Sequence, residues 1–157
     1  MALDSNGNVY LGGASQSSTT GMDFLLVKYN ASGTRLWAKR YNGTANKDDT
    51  LTQVAVAPDN NVYVAGSEQI NATSSYFITA KYDTNGNRLW IKKESPSAKL
   101  NGANGVTVAP DGSVYACGTS TASNGYTDAV FIKYDSAGNK QWQRVWDGAR
   151  SEEHTSE

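Results

Sequence analysis

The residues of this chain whose types and spacing admit chemistry are tryptophans, lysines and acidic turns. Trp37, Trp90 and Trp142 share one register and could lay their apolar ring faces on a sugar. A common register equally suits packing between stacked units, and that reading is favoured. Trp146 lies outside the register and is the freer candidate. Lys28, Lys81 and Lys133, with Lys39, Lys92 and Arg144, form a ladder of cations that could bind an acidic polysaccharide. Long basic side chains also snorkel over apolar surface and discourage edge pairing, and this structural role is the preferred one. Asp4-Ser5-Asn6-Gly7-Asn8 and Asp83-Thr84-Asn85-Gly86-Asn87 alternate oxygen side chains like the start of a calcium loop, but the downstream bidentate Glu is missing and the flanks read as strands. Asn-Gly and Asp-Gly steps are what tight hairpins demand, so these are read as turns. Asp48 and Asp49, with Asn101 at the place equivalent to Asp49, precede an inner strand and could reach a channel mouth; a solvated loop is the preferred reading.

Other chemistry is thinly represented. The single Cys117 has no intrachain partner, matches Gly12 and Ala65 in register, and is expected to be a small buried residue. The single His154 leaves no pair for a histidine-based metal or catalytic site. No phosphate loop, nucleophile elbow or metal-ligand cluster is present, so no catalytic, cofactor-binding or metal-binding residue is assigned and no cofactor is expected. The sequons at Asn30, Asn42 and Asn71 read as turn asparagines. With Lys+Arg 14 against Asp+Glu 15, the chain lacks the basic excess usual for nucleic-acid binders. Its apolar runs fall far below the ~20 residues that span a bilayer as a helix.

The elements that must position these residues come from an internal repeat. Asn8-Val9-Tyr10 recurs as Asn61-Val62-Tyr63 and Ser113-Val114-Tyr115, Lys28-Tyr29 as Lys81-Tyr82 and Lys133-Tyr134, and Gly33 as Gly86 and Gly138. The step is 53 residues between the first two copies and 52 between the last two, which places a one-residue deletion, and a connecting loop, between Trp90 and Val106. The middle copy reads as four strands over residues 51–57, 62–66, 76–82 and 88–93, with a longer loop over 67–75. No segment carries a sustained helical period. Four short antiparallel strands in a unit of about 50 residues are the arithmetic of a β-propeller blade. The fold is therefore expected to be all-β: tandem four-stranded antiparallel blades forming a partial β-propeller. Tyr10, Tyr63 and Tyr115, Tyr29, Tyr82 and Tyr134, and the three in-register tryptophans are assigned to blade packing, and Gly33, Gly86 and Gly138 to turns.

The strings LDSNGNVYLGG, DFLLVKYNASGTRLWAKRYNG and VAVAPDNNVYVAG resemble the bacterial seven-bladed β-propeller repeat family, the SBBP repeats. The likeness runs from Met1 to about Gly148 in three copies. It implies a secreted, cell-surface or periplasmic bacterial protein, and that family has no common catalytic residues to carry over. The expected function is a non-catalytic scaffold or binding module, with glycans or proteins held by loops over residues 14–22, 67–75 and 119–127 and with other blades of the same protein as neighbours. An enzyme is the alternative, either glycan-active or quinoprotein-like, with its active site in missing blades. Asp83-x-x-Gly86-x-x-x-Trp90 and Asp135-x-x-Gly138-x-x-x-Trp142 are similar to the tryptophan-docking motif of quinoprotein dehydrogenases, although one residue shorter and with Asn85 and Ala137 where that motif has Thr. The likeness is read as shared blade geometry.

Both ends shape the domain reading. The last eight residues, RSEEHTSE, resemble the in-frame translation of a short-read sequencing adapter, so residues 150–157 are read as non-native and 1–149 as three blades. That tail holds one Arg and three Glu, and setting it aside leaves 13 basic against 12 acidic residues. Met1 aligns with Val54 and Val106 in mid-strand, so the first blade is expected to lack most of its inner strand and the protein to extend upstream. Three blades fall short of the roughly 4 to 8 that close a ring, so two open, adhesive blade faces are expected.

Overall fold

A computed structural model of the chain describes residues 1–147, and no helix among them is long and apolar enough to cross a membrane. Each copy of the repeat is one four-stranded antiparallel sheet whose strands follow chain order. The first blade holds β1 (Ala2–Leu3), β2 (Val9–Ser17), β3 (Gly21–Tyr29) and β4 (Arg35–Tyr41). The second holds β5 (Asp49–Val56), β6 (Val62–Asn71), β7 (Ser74–Tyr82) and β8 (Arg88–Glu94), and the third β9 (Asn101–Val108), β10 (Val114–Thr121), β11 (Thr127–Tyr134) and β12 (Lys140–Trp146). β1 is a two-residue stub.

The core lies between the sheets. Successive side chains of a strand point to opposite faces, and in β6 this sends Val62 and Val64 into one cluster with Tyr10, Phe24, Leu26 and Ile78. Tyr63 and Ala65, on the other face, enter a second cluster with Phe77, Val106, Val130 and Ile132. The central blade is thus buried on both faces, which explains its near-continuous apolar strands. Inner strands are clasped as well: Thr52 Oγ1 donates to the Ala103 carbonyl at 2.6 Å, and Gln53 Oε1 accepts from the Val106 N–H at 3.0 Å. Sheets approach closely at glycine, because a Cβ at Gly66 would fall 2.8 Å from the Phe24 ring and one at Gly118 2.8 Å from the Phe77 ring.

Three expectations are corrected here. Residues 67–75 are not a loop: β6 and β7 stay paired from Ser67 with Phe77 out to Asn71 with Ser74. The equivalent hairpins in the other blades pair Ser17 with Gly21 and Thr121 with Thr127. Beyond the core a strand needs no apolar side chains, and the ladder alone satisfies its backbone, so fading alternation did not mean a loop. Asp49 is not solvated; it opens β5 with no exposure, and Asn101 opens β9 almost as deeply. Cys117 is exposed, because the face that covers its counterpart Ala65 belongs to the following blade, and none follows among the described residues.

Candidate functional site

The acidic turns spend their oxygens on their own backbone. Asp83 Oδ1 accepts from the N–H groups of Asn85 and Asn87 at 2.9 and 2.8 Å, and Oδ2 accepts from Asn87 Nδ2 at 2.8 Å. Desolvation pushes the Asp83 carboxyl up, but these hydrogen bonds outweigh it and hold the group below the ordinary carboxylate range. Asp4 and Asp135 make the same contacts with Asn8 and Asn139, and Asn30 substitutes its amide oxygen in the first blade. These are Asx turns, with the glycine at positive φ: +82° at Gly33, +78° at Gly86 and +84° at Gly138. The sequon Asn71 likewise caps its own turn, accepting from the Thr73 N–H at 2.9 Å. Asn42 donates to Asn46 Oδ1 at 2.7 Å.

The Asp83 and Asp135 turns each present one carbonyl to the preceding blade. The Thr84 carbonyl accepts from Lys28 Nζ and from Trp37 Nε1, both at 3.1 Å. The Ser136 carbonyl accepts from Lys81 Nζ at 3.2 Å and Trp90 Nε1 at 3.3 Å. Lys28 lies over the Tyr10 ring at 4.9 Å and Lys81 over Tyr63 at 5.3 Å, and Trp37 and Trp90 stand edge-on to those tyrosines at 5.9 Å. The lysine ladder and the tryptophan register are therefore one device, a latch from blade to blade, and Lys28 and Lys81 are buried in it. From the other side, Tyr134 meets Trp90 at 6.1 Å, Tyr82 is buried in the first interface, and Tyr29 is half-buried. In the third blade Lys133 lies 5.3 Å over Tyr115 and Trp142 packs 6.3 Å from it, but Trp142 is 37% exposed. Trp146 is more open still.

The candidate recognition surface is the rim formed by the tips of the β2–β3, β6–β7 and β10–β11 hairpins. The crossings between blades run beside those tips and brace them. The Gln69 N–H donates to the Asp48 carbonyl at 3.2 Å, the Met22 N–H to Asp48 Oδ1 at 2.9 Å, and the Thr121 N–H to the Leu100 carbonyl at 2.8 Å. Under the second tip lies Glu68, a fully buried carboxylate that sequence reasoning missed. It accepts from Tyr41 Oη at 2.5 Å and the Thr44 N–H at 3.1 Å, and pairs with Lys93 Nζ at 2.7 Å. Burial raises the Glu68 carboxyl, yet Lys93, Tyr41 and Thr44 bring it below its usual value. Asp49 is unbalanced: its Oδ2 accepts from the Gly43 N–H at 2.6 Å, while Oδ1 has no partner. Desolvation, with the charges of Glu68 and Asp23 added, pushes it up to about 6. At the next junction Asn101 does the equivalent bracing without charge, donating from Nδ2 to the Ser75, Ser97 and Lys99 carbonyls.

Among the described residues, no group of three His, Cys, Asp or Glu side chains is placed to hold a metal ion. His154 and the adapter-like tail lie outside the described residues.

Two comparisons bear on this geometry. Residues 109–140, which carry β10, β11 and the third Asx turn, match a β-propeller domain of unknown function, DUF5122. The chain is built of β-propeller repeats. A curated relative of this propeller is an uncharacterized WD repeat-containing protein of Acanthamoeba polyphaga mimivirus, 25% identical over 171 residues. The alignment takes in 76% of this chain but 12% of that relative, so the propeller segment spans a small part of the relative's length.

Proposed function

We propose that the chain is a non-catalytic binding or scaffold module of a bacterial surface, holding a protein or glycan at the hairpin rim. The observation that carries this reading is the contrast between latch and tip. The latch uses the same residue types at both blade junctions, whereas the tips Ser18-Thr19-Thr20, Ala72-Thr73 and Ala122-Ser123-Asn124-Gly125-Tyr126 differ in length and sequence. Rigid sheets carrying unlike loops at fixed spacing suit recognition by shape and by several contacts at once. The third tip exposes Tyr126, a side chain that supplies contact area at low entropic cost. A location outside the cytoplasm rests on the resemblance to SBBP repeats.

The experiment is a screen of the purified chain on an array of neutral and acidic bacterial glycans and against purified envelope proteins, repeated after each tip is replaced by Gly-Ser. A bound partner lost on tip replacement, with thermal unfolding unchanged, supports the reading. Binding that survives all three replacements overturns it.

A further inference from the structure

The first two blades fill from within a place that the second and third leave open. At the first junction Asp4 Oδ2 accepts from Tyr10 Oη at 3.1 Å and lies 3.7 Å from Lys28 Nζ, so a buried ammonium has a buried carboxylate beside it. The turn after Asp4 is also tied to the next blade, since Asn60 Oδ1 accepts from the N–H and Oγ of Ser5 at 3.3 and 3.1 Å. One blade on, Ala57 holds the same backbone place. Its N–H donates to the Asn61 carbonyl at 2.9 Å and its carbonyl accepts from the Asn60 N–H at 2.8 Å, as Asp4 does with Asn8 and Gly7. Lys81 still lies over the Tyr63 ring as Lys28 does over Tyr10, but the carboxylate that such a pair shares is missing. Lys81 Nζ keeps the Ser136 carbonyl at 3.2 Å and belongs to no ion pair among the described residues, although the residue is only 8% exposed. The tie between the turns is gone too, because Pro58 stands for Ser5 and Gly112 for Asn60. A cleft of about 250 Å³ opens there, between two blades that each have all four strands. Its lining runs from the buried Ala57 and Tyr63 to the exposed side chains of Asp59 and Asp111.

We infer that this cleft binds a small amino-acid zwitterion, its carboxylate taking the place that Asp4 fills at the first junction and its ammonium lying toward Asp59 and Asp111. Tyr63 Oη and Lys81 Nζ would donate to the carboxylate. A buried ammonium without an anion is costly, so a ligand that brings one restores an interaction the second junction lacks. A plain anion is opposed by the two acidic side chains of the lining and a plain cation by Lys81, whereas a zwitterion answers both. Asp59 and Asp111 are held in their own turns by Asn61 and Ser113, and each carboxylate keeps lone pairs for an ammonium. Pro58, Val108 and Pro110 offer an apolar wall to the carbon chain between the two charges. The cleft lies at the ends of β6 and β10 away from the hairpin rim, so the inference is independent of what the rim binds.

Titration calorimetry of the purified chain tests it, with glycine, 3-aminopropanoate, 4-aminobutanoate and 5-aminopentanoate as ligands and butanoate and butylamine as single-charge controls. At least one amino acid should bind, roughly 5-fold or more tighter than either control. Ala57→Asp supplies the missing carboxylate from the chain itself and should weaken that binding by about 10-fold or more, while thermal unfolding stays level or rises. Tyr63→Phe should weaken it roughly 2- to 10-fold, the worth of one hydrogen bond. Pro58→Ser with Gly112→Asn restores the tie across the cleft without touching Tyr63 or Lys81, and should also abolish binding. Asn is accommodated at 112 because Gly112 has φ +82° and Asn60 already holds +62° at the equivalent place. No binding of any amino acid at ~20 mM, a control that binds as tightly, or binding that survives either Ala57→Asp or the paired change would each overturn the inference.

Discussion

Trp37 Nε1 and the carbonyl of Thr84 meet at 3.1 Å across the boundary between the first two blades, and Trp90 repeats the contact with Ser136 at 3.3 Å across the next. Each tryptophan thus ties its own fourth strand to the turn of the following sheet, while an ammonium from the third strand shares the acceptor. Trp90→Phe should cost about 0.5–1.5 kcal/mol for the hydrogen bond alone, and Trp90→Ala about 3–5 kcal/mol. Trp142→Ala should cost clearly less, since among the described residues no following turn lies against it and its ring is 37% exposed. Urea unfolding of the three variants reads the difference.

The turn glycines separate backbone strain from crowding. Gly33→Ala forces a left-handed residue in open space and should cost about 1–2 kcal/mol. Gly86→Ala adds a Cβ that would lie 2.8 Å from Lys39 Cε and 3.1 Å from the Trp37 indole, so it should cost more and weaken the latch. Equal losses in thermal unfolding would show that the latch does not press on this turn.

Asp49 gives the chain a dependence on pH. Its carboxyl is raised from 3.8 to about 6 in the folded chain. The fold therefore favours the protonated form, and stability present below pH 3.8 is lost as pH rises to about 6. Asp49→Asn should raise stability above that point by on the order of 2 kcal/mol and flatten the slope between pH 4 and 6. Asn101 at the equivalent place in the next blade shows that the amide fits such a site.

Glu68 works in the opposite direction. Its carboxyl is lowered from 4.5, so the stability it contributes is present above that value and is lost as pH falls through the folded pKa. Lys93→Met should destabilise the chain at pH 7 by about 3–5 kcal/mol, because a buried carboxylate is left without its cation. The penalty should shrink at pH 3, and adding Glu68→Gln should recover part of it at pH 7. A Lys93→Met penalty independent of pH would refute the pairing.

Legibility tracked the repeat. The all-β strand order and the presence of turns at Gly33, Gly86 and Gly138 were readable because Lys28-Tyr29 and Gly33 recur at fixed steps, and a residue type that recurs in register answers to a contact that recurs. What escaped was whatever differs between copies. Glu68 matches Ser15 and Ser120, so no periodic signal marked it. A carboxylate placed after the apolar run 62–65, on the side of the strand facing the sheet interior, was the one hint available. The charge pair Asp48-Asp49 was read as solvated because burial of a carboxylate depends on an N–H from Gly43, six residues upstream and unremarkable in sequence. The polar ends of β6 and β7 were hidden because pairing there depends on the backbone, which alternation of side chains does not report.

The division of β6 between two clusters bears on how the chain is made at the ribosome. Val62 and Val64 find partners in a sheet already synthesised, but Tyr63 and Ala65 must wait for β9 to β11, the first of which begins 36 residues after Ala65. At ~5–20 residues per second, a newly emerged sheet keeps one greasy flank uncovered for roughly 3 to 10 seconds. Nascent chains of this architecture should therefore be steady clients of ribosome-associated chaperones, with exposure renewed once per repeat.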